Sequence, residues 1–351
     1  MFSQKIMNWY AENGRVLPWR GISNPYYIWL SEIILQQTRI EQGIGYYNHF
    51  IKEYPTVKAL ADASEQQVLK SWQGLGYYSR ARNLHASARY IAYELGGLFP
   101  KTYEGLLALK GVGRYTAAAI ASFAFKLPYP VIDGNVYRFI SRLYGIYTPI
   151  GTNRAYNEFE KILNNLIDPL KPDLFNQAIM DFGSLCCKPL GCDCNNCLFS
   201  HECVANQKGT VSQLPVKQAP AKGTERYFYY FDTRWSIPRD TMLVHLREGK
   251  DIWNGLYELP LYESKEAIPA RSLRQSAIEL LTGWFGMKPS RLCIGPCITH
   301  HLTHQAITAQ FILANFDSQP PQIPKTMLQI EPVAMKSLLV SRLIDRYLSE
   351  M

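Results

Sequence analysis

The chain has 351 residues, more than the roughly 250–300 residues at which a single core stops growing, so we expect two domains. Because 47% of the residues are hydrophobic and 19% are charged, an intrinsically disordered protein is excluded. The sequence has no apolar run near the roughly 18 residues of a membrane helix and no signal or transit pattern. This predicts a soluble, cytoplasmic protein with reduced cysteines and no membrane partner. The net charge of +8 weakly favours a polyanionic partner.

The first part of the chain, residues 1–207, is predicted to be mainly helical. Apolar periodicity and cap residues such as Ser64 define its helices. Residues 208–224 are a predicted interdomain linker, because they are rich in glycine, proline and lysine and contain no aromatic residue. The predicted helices cover residues 1–13, 26–42, 64–73, 103–110, 114–126, 134–144 and 153–167.

Residues 225–351 are predicted to form a second domain of the α+β class. The hydrophobic pattern changes there from helical spacing to runs rich in β-branched and aromatic residues, interrupted by two helical segments. The predicted strands cover residues 226–234, 241–247 and 306–314, and the predicted helices cover residues 271–285 and 334–349.

A cysteine-rich loop closes the helical region. Six of the eight cysteines lie between Cys186 and Cys203, and four thiolates in one loop can hold a [4Fe-4S] cluster or a zinc ion. Only one C-x-x-C pair is present, which favours the iron–sulfur cluster over a zinc ribbon. Composition alone does not select which four of the six bind. One frame with unequal outer spacings consists of Cys187, Cys194, Cys197 and Cys203.

A tight glycine turn joins the predicted helices 103–110 and 114–126. Gly111 and Gly113 allow the backbone to turn sharply and to approach a large partner closely. The second helix then presents free N–H groups that suit a phosphate, as in DNA backbone contacts. An ordinary pair of antiparallel helices with a glycine cap accounts for the motif equally well.

Two carboxylates are candidates for acid–base chemistry. Glu32 lies in the middle of an apolar helix, where burial favours the protonated form that a general acid needs. Its position alone favours an ordinary helix residue, either solvated or paired with Arg20 or Arg39. Asp133 begins a helix and is a strong candidate for an N-cap, a role that is compatible with catalysis.

Several further segments accompany the hairpin and the cysteine frame. They are Pro18-Trp19-Arg20, Trp29 to Thr38, Gly74 to Leu84, Asp133-Gly134-Asn135-Val136 and Phe175-Asn176-Gln177-Ala178. Together these motifs resemble the helix–hairpin–helix DNA glycosylases with an iron–sulfur loop, and within them the MutY family of adenine DNA glycosylases. The resemblance spans nearly all of residues 1–207.

The resemblance implies a fold, a cofactor and a reaction. It implies a helix–hairpin–helix glycosylase fold whose [4Fe-4S] cluster is held by Cys187, Cys194, Cys197 and Cys203. It implies a monomer acting on double-stranded DNA of a bacterial-type chromosome, where adenine lies opposite 8-oxoguanine or guanine. Glu32 would protonate N7 of the flipped adenine, and Asp133, with Asn135 beside it, would stabilise the oxocarbenium-like sugar. The alternative is an endonuclease III-like pyrimidine glycosylase and lyase.

Tyr115 separates the two reaction types. Bifunctional relatives have a lysine at this place, which attacks the sugar and leads to strand cleavage. The tyrosine here implies monofunctional hydrolysis, unless Tyr115 is only a helix-surface residue. Lys110 and Lys126 are near in sequence and could provide slight lyase activity.

The resemblance also assigns residues to DNA and base recognition. Arg20 and Gln177 match positions near the adenine pocket, although a structural amide is the simpler interpretation of Gln177. Gly111 and Gly113 match the hairpin that contacts the DNA backbone. The positions that contact the oxidised base or wedge into the helix are matched by Gln37, Thr38, Leu75 and Tyr77.

The second domain resembles the Nudix-like recognition domain of the family through Trp253 to Pro260. The matching helix carries only Glu279, so pyrophosphate hydrolysis is not expected. Where the family's loop has Phe-Ser-His, this chain has Leu302-Thr303-His304, and we expect Thr303 and His304 to contact 8-oxoguanine. The spacing of four nearby residues also resembles a zinc site: Cys293, Cys297, His300 and His304. We expect no zinc there, because the surrounding β-rich runs would place these side chains on opposite faces.

Overall fold

Two units make up the chain in the computed structural model, which describes residues 1–218, 223–302 and 304–350. Unit 1 comprises Met1–Ala219 and unit 2 comprises Pro220–Met351. The early part of the predicted linker belongs to unit 1, because Leu214 is only 2% exposed and its carbonyl accepts a 3.0 Å hydrogen bond from Arg142 Nε. The described helices include none with the length and apolarity needed to cross a bilayer.

Unit 1 is helical, as predicted, and side-chain caps explain where many of its helices begin. Asn24, Thr56, Ser64, Thr102 and Thr152 each accept a hydrogen bond from a backbone N–H of the first helical turn. The helices are α1 (Phe2–Asn13), α2 (Pro25–Leu35), α3 (Ile40–Glu53), α4 (Val57–Asp62), α5 (Glu65–Ser71), α6 (Tyr78–Arg89, continued by a π turn over Tyr90–Glu94), α7 (Tyr103–Leu107), α8 (Arg114–Phe125), α9 (Gly134–Tyr144), α10 (Asn153–Leu166), α11 (Pro172–Leu185) and α12 (Val204–Gln207).

The single long helix predicted over residues 26–42 is wrong. Helix α2 ends at Leu35, Gln37 adopts a left-handed φ of 56°, and α3 starts a new direction at Ile40. The cause is a distant side chain: Arg80 donates to the carbonyls of Ile33 (3.2 Å) and Ile34 (3.3 Å), which a continuing helix would have used itself. The interruption places Glu32 in the last turn of α2 and leaves an exposed loop after it.

Helices α2 and α8 form the centre of unit 1. Tyr26 and the stretch from Ile28 to Ile34 in α2 are buried, and so is the stretch from Thr116 to Phe123 in α8, so both helices are buried on nearly every side. A second core joins α1, α9, α10 and α11, with Phe139, Phe159 and Phe182 almost completely buried. The candidate catalytic residues lie on these central helices and at their ends.

Unit 2 is a mixed sheet with a helix on each face, which confirms the α+β prediction. Strands β1 and β6 pair in parallel at its centre; α13 packs on one face and α14 on the other. The elements are β1 (Thr224–Trp235), β2 (Thr241–Leu246), β3 (Tyr257–Glu258), β4 (Leu261–Ser264), α13 (Ala270–Phe285), β5 (Arg291–His301), β6 (Gln305–Phe316), β7 (Met327–Ile330) and α14 (Arg342–Glu350).

The predicted helix over residues 334–349 is interrupted. A 3-10 turn covers Pro332–Ser337, and α14 begins only at Arg342. Between them the Leu339 carbonyl accepts a 2.8 Å hydrogen bond from Tyr257 N, so the chain is held extended against β3. This pairing is long-range and left no signal in the local hydrophobic pattern.

Candidate active site

One pocket in unit 1 collects the predicted catalytic residues. Its volume is about 220 Å³, below the roughly 300–1,000 Å³ of sites for drug-sized ligands, which suits one ring system. Lys110 and Lys126 do not reach it, and the described residues that line it include no lysine. These are Arg15, Leu17, Trp19, Arg20, Ile28, Ser31, Glu32, Leu35, Thr38, Ile40, Tyr115, Phe123, Asp133, Asn135, Gln177, Met180 and Ser184.

Glu32 is buried among the apolar residues of α2, with 7% of its surface exposed. The pKa of its carboxyl is raised from 4.5 to about 7, mainly by burial and also by the nearby Asp133. A side-chain hydrogen bond with Tyr115 and the charge of Arg20 act in the opposite direction. The carboxyl therefore carries a proton in a substantial fraction of molecules near neutral pH, as a general acid must.

Asp133 is both the N-cap of α9 and a pocket residue. Its Oδ1 accepts hydrogen bonds from Asn135 N (2.9 Å) and Val136 N (2.7 Å), and its Oδ2 accepts one from Asn135 Nδ2 (2.8 Å). Burial raises the pKa of this carboxyl, while the three hydrogen bonds favour its ionised form. The cap thus fixes the orientation of a carboxylate at the pocket wall.

A network that sequence reasoning missed supports this cap. Arg138 Nη2 donates to Oδ1 of Asn135 (2.9 Å), and its Nε donates to the carbonyl of Cys187 (2.6 Å). Asn135 therefore joins the carboxylate of Asp133 to an arginine that also holds the start of the cysteine loop. Asn135 and Arg138 are three residues apart, a spacing that places two side chains on the same face of a helix. This spacing is the sequence feature that could have predicted their contact.

Arg20 and Gln177 line the pocket, and each has a side-chain partner that the sequence did not predict. Arg20 Nη2 lies 3.3 Å from Oδ1 of the fully buried Asp181, which also pairs with Arg15. The Nε and Nη1 atoms of Arg20 are buried and have no partner among the described residues. Gln177 Oε1 accepts a 3.0 Å hydrogen bond from the Tyr10 hydroxyl, so its amide nitrogen is the atom left for a ligand.

The glycine hairpin has the predicted form, with a longer turn because α7 already ends at Leu107. Gly111 has a φ of 77°, and a Cβ there would lie 2.8 Å from Cβ of Asn83, so only glycine fits. Gly113 is the N-cap of α8, with no atom within 4 Å of an added Cβ, and no side chain caps the helix. The absence of a side-chain cap suits contact between the first turn of α8 and a phosphate.

The predicted lesion-reading residues lie on two loops held by one side chain. Gln37 is exposed after α2, with Thr38 beside it. Tyr77, 48% exposed, is the N-cap of α6 and has a left-handed conformation with φ 50°. Leu75 is buried instead, at 8% exposure. Arg80 donates to the carbonyls of Gln36, Leu75 and Gly76, and thus ties both loops together.

Six cysteines border one cavity beside α9, and none is in a disulfide. Arg142, 3% exposed, donates from Nη1 to Sγ of Cys187 (3.4 Å). In the described chain no three His, Cys, Asp or Glu side chains converge closely enough for a single metal ion. Six thiols around one cavity, with the buried guanidinium of Arg142 beside them, are compatible with an anionic iron–sulfur group. The residues are Cys186, Cys187, Cys192, Cys194, Cys197 and Cys203.

In unit 2, Thr303 lies outside the described residues, whereas His304 is exposed and its carbonyl accepts a 3.0 Å hydrogen bond from Thr224 N. Cys293 and Cys297 lie on β5, with a register irregularity between Ile294 and Cys297. The described residues form no metal-binding group with them.

Comparisons with known proteins agree with this geometry. The family model of the HhH-GPD superfamily of base excision DNA repair proteins matches residues 30–166. An adenine DNA glycosylase of Buchnera aphidicola subsp. Acyrthosiphon pisum is 34% identical over 271 residues, 76% of this chain and 75% of that protein. One from Rattus norvegicus is 40% identical over 226 residues, 61% of this chain and 44% of that protein. The structure of a thermostable thymine-DNA glycosylase has a TM-score of 0.55 at 28% identity, covering 59% of this chain and 95% of that one. The chain therefore belongs to the adenine DNA glycosylases, a family of the helix–hairpin–helix superfamily of base excision DNA repair proteins.

Proposed function

We propose that this protein hydrolyses the N-glycosidic bond of adenine that lies opposite 8-oxoguanine or guanine in DNA, and leaves an abasic site. The observation that carries the proposal is the pocket that holds Glu32 and Asp133 together with Tyr115. The two carboxyls have different surroundings, one apolar and one rich in hydrogen-bond donors. Glycosidases use such a difference in environment to keep one carboxyl group protonated and the other ionised.

Each side chain has a role in the proposed reaction. Glu32, with a pKa of about 7, donates its proton to N7 of the flipped adenine and makes the base a better leaving group. Asp133, fixed by its cap hydrogen bonds, stabilises or captures the oxocarbenium-like sugar. The deprotonated Glu32 then activates water. Tyr115 hydrogen-bonds to Glu32 and has no amine to form a Schiff base, so the reaction is monofunctional.

Four surfaces of the protein are proposed to contact the DNA that carries the mispair. The hairpin of Gly111 and Gly113 contacts the phosphate backbone. The amide of Gln177 and the guanidinium of Arg20 contact the edge of adenine. The two loops held by Arg80, and Thr303 with His304 in unit 2, contact the opposite base. The protein would act as a monomer. Its substrate would be a bacterial-type chromosome in the cytoplasm.

The proposed cofactor is a [4Fe-4S] cluster held by Cys187, Cys194, Cys197 and Cys203. When bound, the cluster supplies cross-links that fix the cysteine loop. Arg142 would lie beside it as a buried cation. Arg138 would connect the cysteine loop to the pocket, because it hydrogen-bonds to both the carbonyl of Cys187 and the side chain of Asn135.

The test is cleavage of labelled duplexes that carry adenine opposite 8-oxoguanine, guanine or thymine, each with and without hot alkali. Cleavage only after alkali, fastest opposite 8-oxoguanine, is expected. Glu32→Gln should be inactive, while the matched variant Glu41→Gln, at an exposed position of α3, should retain activity. Cleavage without alkali would indicate a lyase, and activity on oxidised pyrimidines alone would replace this proposal with the endonuclease III-like one.

A further inference from the structure

Two cysteines at the cavity beside α9 exceed the four that the proposed cluster frame uses. These surplus thiols, Cys186 and Cys192, have different surroundings. Cys186 is the C-cap of α11 and packs against the helical core of α9 and α11. Cys192 lies in the loop, and its Sγ is only 3.6 Å from Sγ of Cys194. The sulfur of Cys192 is therefore in contact with a sulfur of the frame.

The buried Arg142 places Cys192 within the same group of thiols. Its Nη1 donates to Sγ of Cys187 at 3.4 Å and to Sγ of Cys192 at 3.7 Å. One nitrogen therefore contacts both a frame cysteine and the surplus one. Gly191, with a left-handed φ of 66° and open space around its Cα, lets the chain turn back immediately before Cys192.

We propose that Cys192 and Cys194 are alternative ligands for one corner of the iron–sulfur cluster, so that Cys192 holds the cluster when Cys194 is lost. The inference rests on the proposed [4Fe-4S] cofactor. Such a cluster takes one thiolate at each of its four irons, so the fifth thiol of this group is unbound at any moment. Because the two sulfurs are adjacent, exchange needs movement of the loop side chains and not of the helices.

The experiment measures iron and acid-labile sulfide per chain in full-length protein purified anaerobically. Cys194→Ser is expected to retain most of the wild-type content. Two variants are expected to lose it: Cys203→Ser, whose sulfur has its hydrogen bond with the carbonyl of Arg142, and the double variant Cys192→Ser with Cys194→Ser. The matched double variant, Cys186→Ser with Cys194→Ser, should retain the cluster, because the sulfur that contacts Cys194 is that of Cys192.

Thiol alkylation followed by mass spectrometry provides a second measurement. In Cys194→Ser holoprotein, Cys192 should be protected from alkylation and become reactive after the cluster is removed. Loss of the cluster from Cys194→Ser as complete as from Cys203→Ser would overturn the inference, and so would rapid labelling of Cys192 in that holoprotein. Wild-type protein without iron and sulfide would instead refute the proposed cofactor itself.

Discussion

A Cβ atom on Gly183 would lie 2.7 Å from the carbonyl oxygen of Asn135, closer than real Cβ contacts allow. Helices α9 and α11 are therefore in backbone contact at this point. Asp133 caps α9 and Gln177 lies on α11, so this contact fixes the spacing between two walls of the pocket. The absence of a side chain at residue 183 is thus part of the active-site geometry.

Gly183→Ala should destabilise unit 1 and slow adenine excision, because the added methyl group separates α9 from α11. Overpacking of this kind costs about 1–3 kcal/mol. Urea denaturation and single-turnover excision would measure the two effects. Gly45→Ala is the matched control: Gly45 lies within α3 with no atom within 4 Å of an added Cβ, and a helical alanine there should stabilise by about 0.5–1 kcal/mol. Equal stability of the two variants would contradict the close contact.

Asn135→Ala should slow excision by about 10- to 100-fold with little loss of DNA affinity. It removes the hydrogen bond to Oδ2 of Asp133, and a hydrogen bond to a charged group is worth about 1.5–3 kcal/mol. Single-turnover rates at saturating protein would show the effect. Asn157→Ala, at an exposed position of α10, should leave the rate unchanged. A normal rate for Asn135→Ala would mean that the backbone cap alone orients Asp133.

The second-order rate constant for excision should fall above pH about 7, tenfold per pH unit, because the free protein loses the proton of Glu32 there. Tyr115→Phe should move this limb to higher pH, since the hydrogen bond from Tyr115 lowers the pKa of Glu32. A pH–rate profile of both proteins would measure the shift. A limb near pH 4.5 in wild type would argue against a buried general acid.

Glu32→Gln should gain stability relative to wild type as the pH rises. The pKa of Glu32 is about 7 when folded and 4.5 in its ordinary state, so the folded protein binds more protons between these values. The unfolding free energy of wild type therefore decreases over that window, and the neutral amide escapes the loss. The difference between the two proteins should shift by about 2 kcal/mol in favour of the variant from pH 5 to pH 8. A pH-independent difference in denaturation experiments would contradict the raised pKa.

Arg80→Met should loosen both of the loops that we propose to contact the opposite base. The variant leaves the carbonyls of Ile33, Gln36 and Leu75 without their donor, at a cost of about 3 kcal/mol. Protection of these loops from hydrogen exchange and affinity for damaged duplex should decrease together. Arg82→Met, which removes a partly exposed ion pair with Glu65, should cost under about 1 kcal/mol. Loss of protection in only one loop would refute the shared anchor.

Much of unit 1 could be predicted because its signals are local. The Ser64 cap, the glycine turn and the position of Asp133 are short-range patterns, and the structure contains each of them. What failed depends on distant partners. The break after Leu35 is caused by Arg80, and the break before Arg342 is caused by Tyr257, and neither leaves a trace in the neighbouring sequence.

The site shows the same division. Glu32 and Asp133 were assigned to catalysis through the resemblance of their motifs, since position alone favoured an ordinary helix residue and an N-cap. Their supports, such as Arg138 and Asp181, were missed because an arginine or aspartate in a helix usually faces solvent. Only the folded chain shows that these side chains are drawn inward by partners far away in sequence.

The pairing of Arg15 with Asp181 spans 166 positions along the chain. On a ribosome, α1 is therefore synthesised long before α11, the helix that it packs against. Until then Arg15 and Arg20 lack their buried counter-ion, and α1 lacks its packing partner. Unit 1 should consequently fold late in synthesis, and fragments that end before α11 should expose the apolar face of α1 and aggregate or bind chaperones.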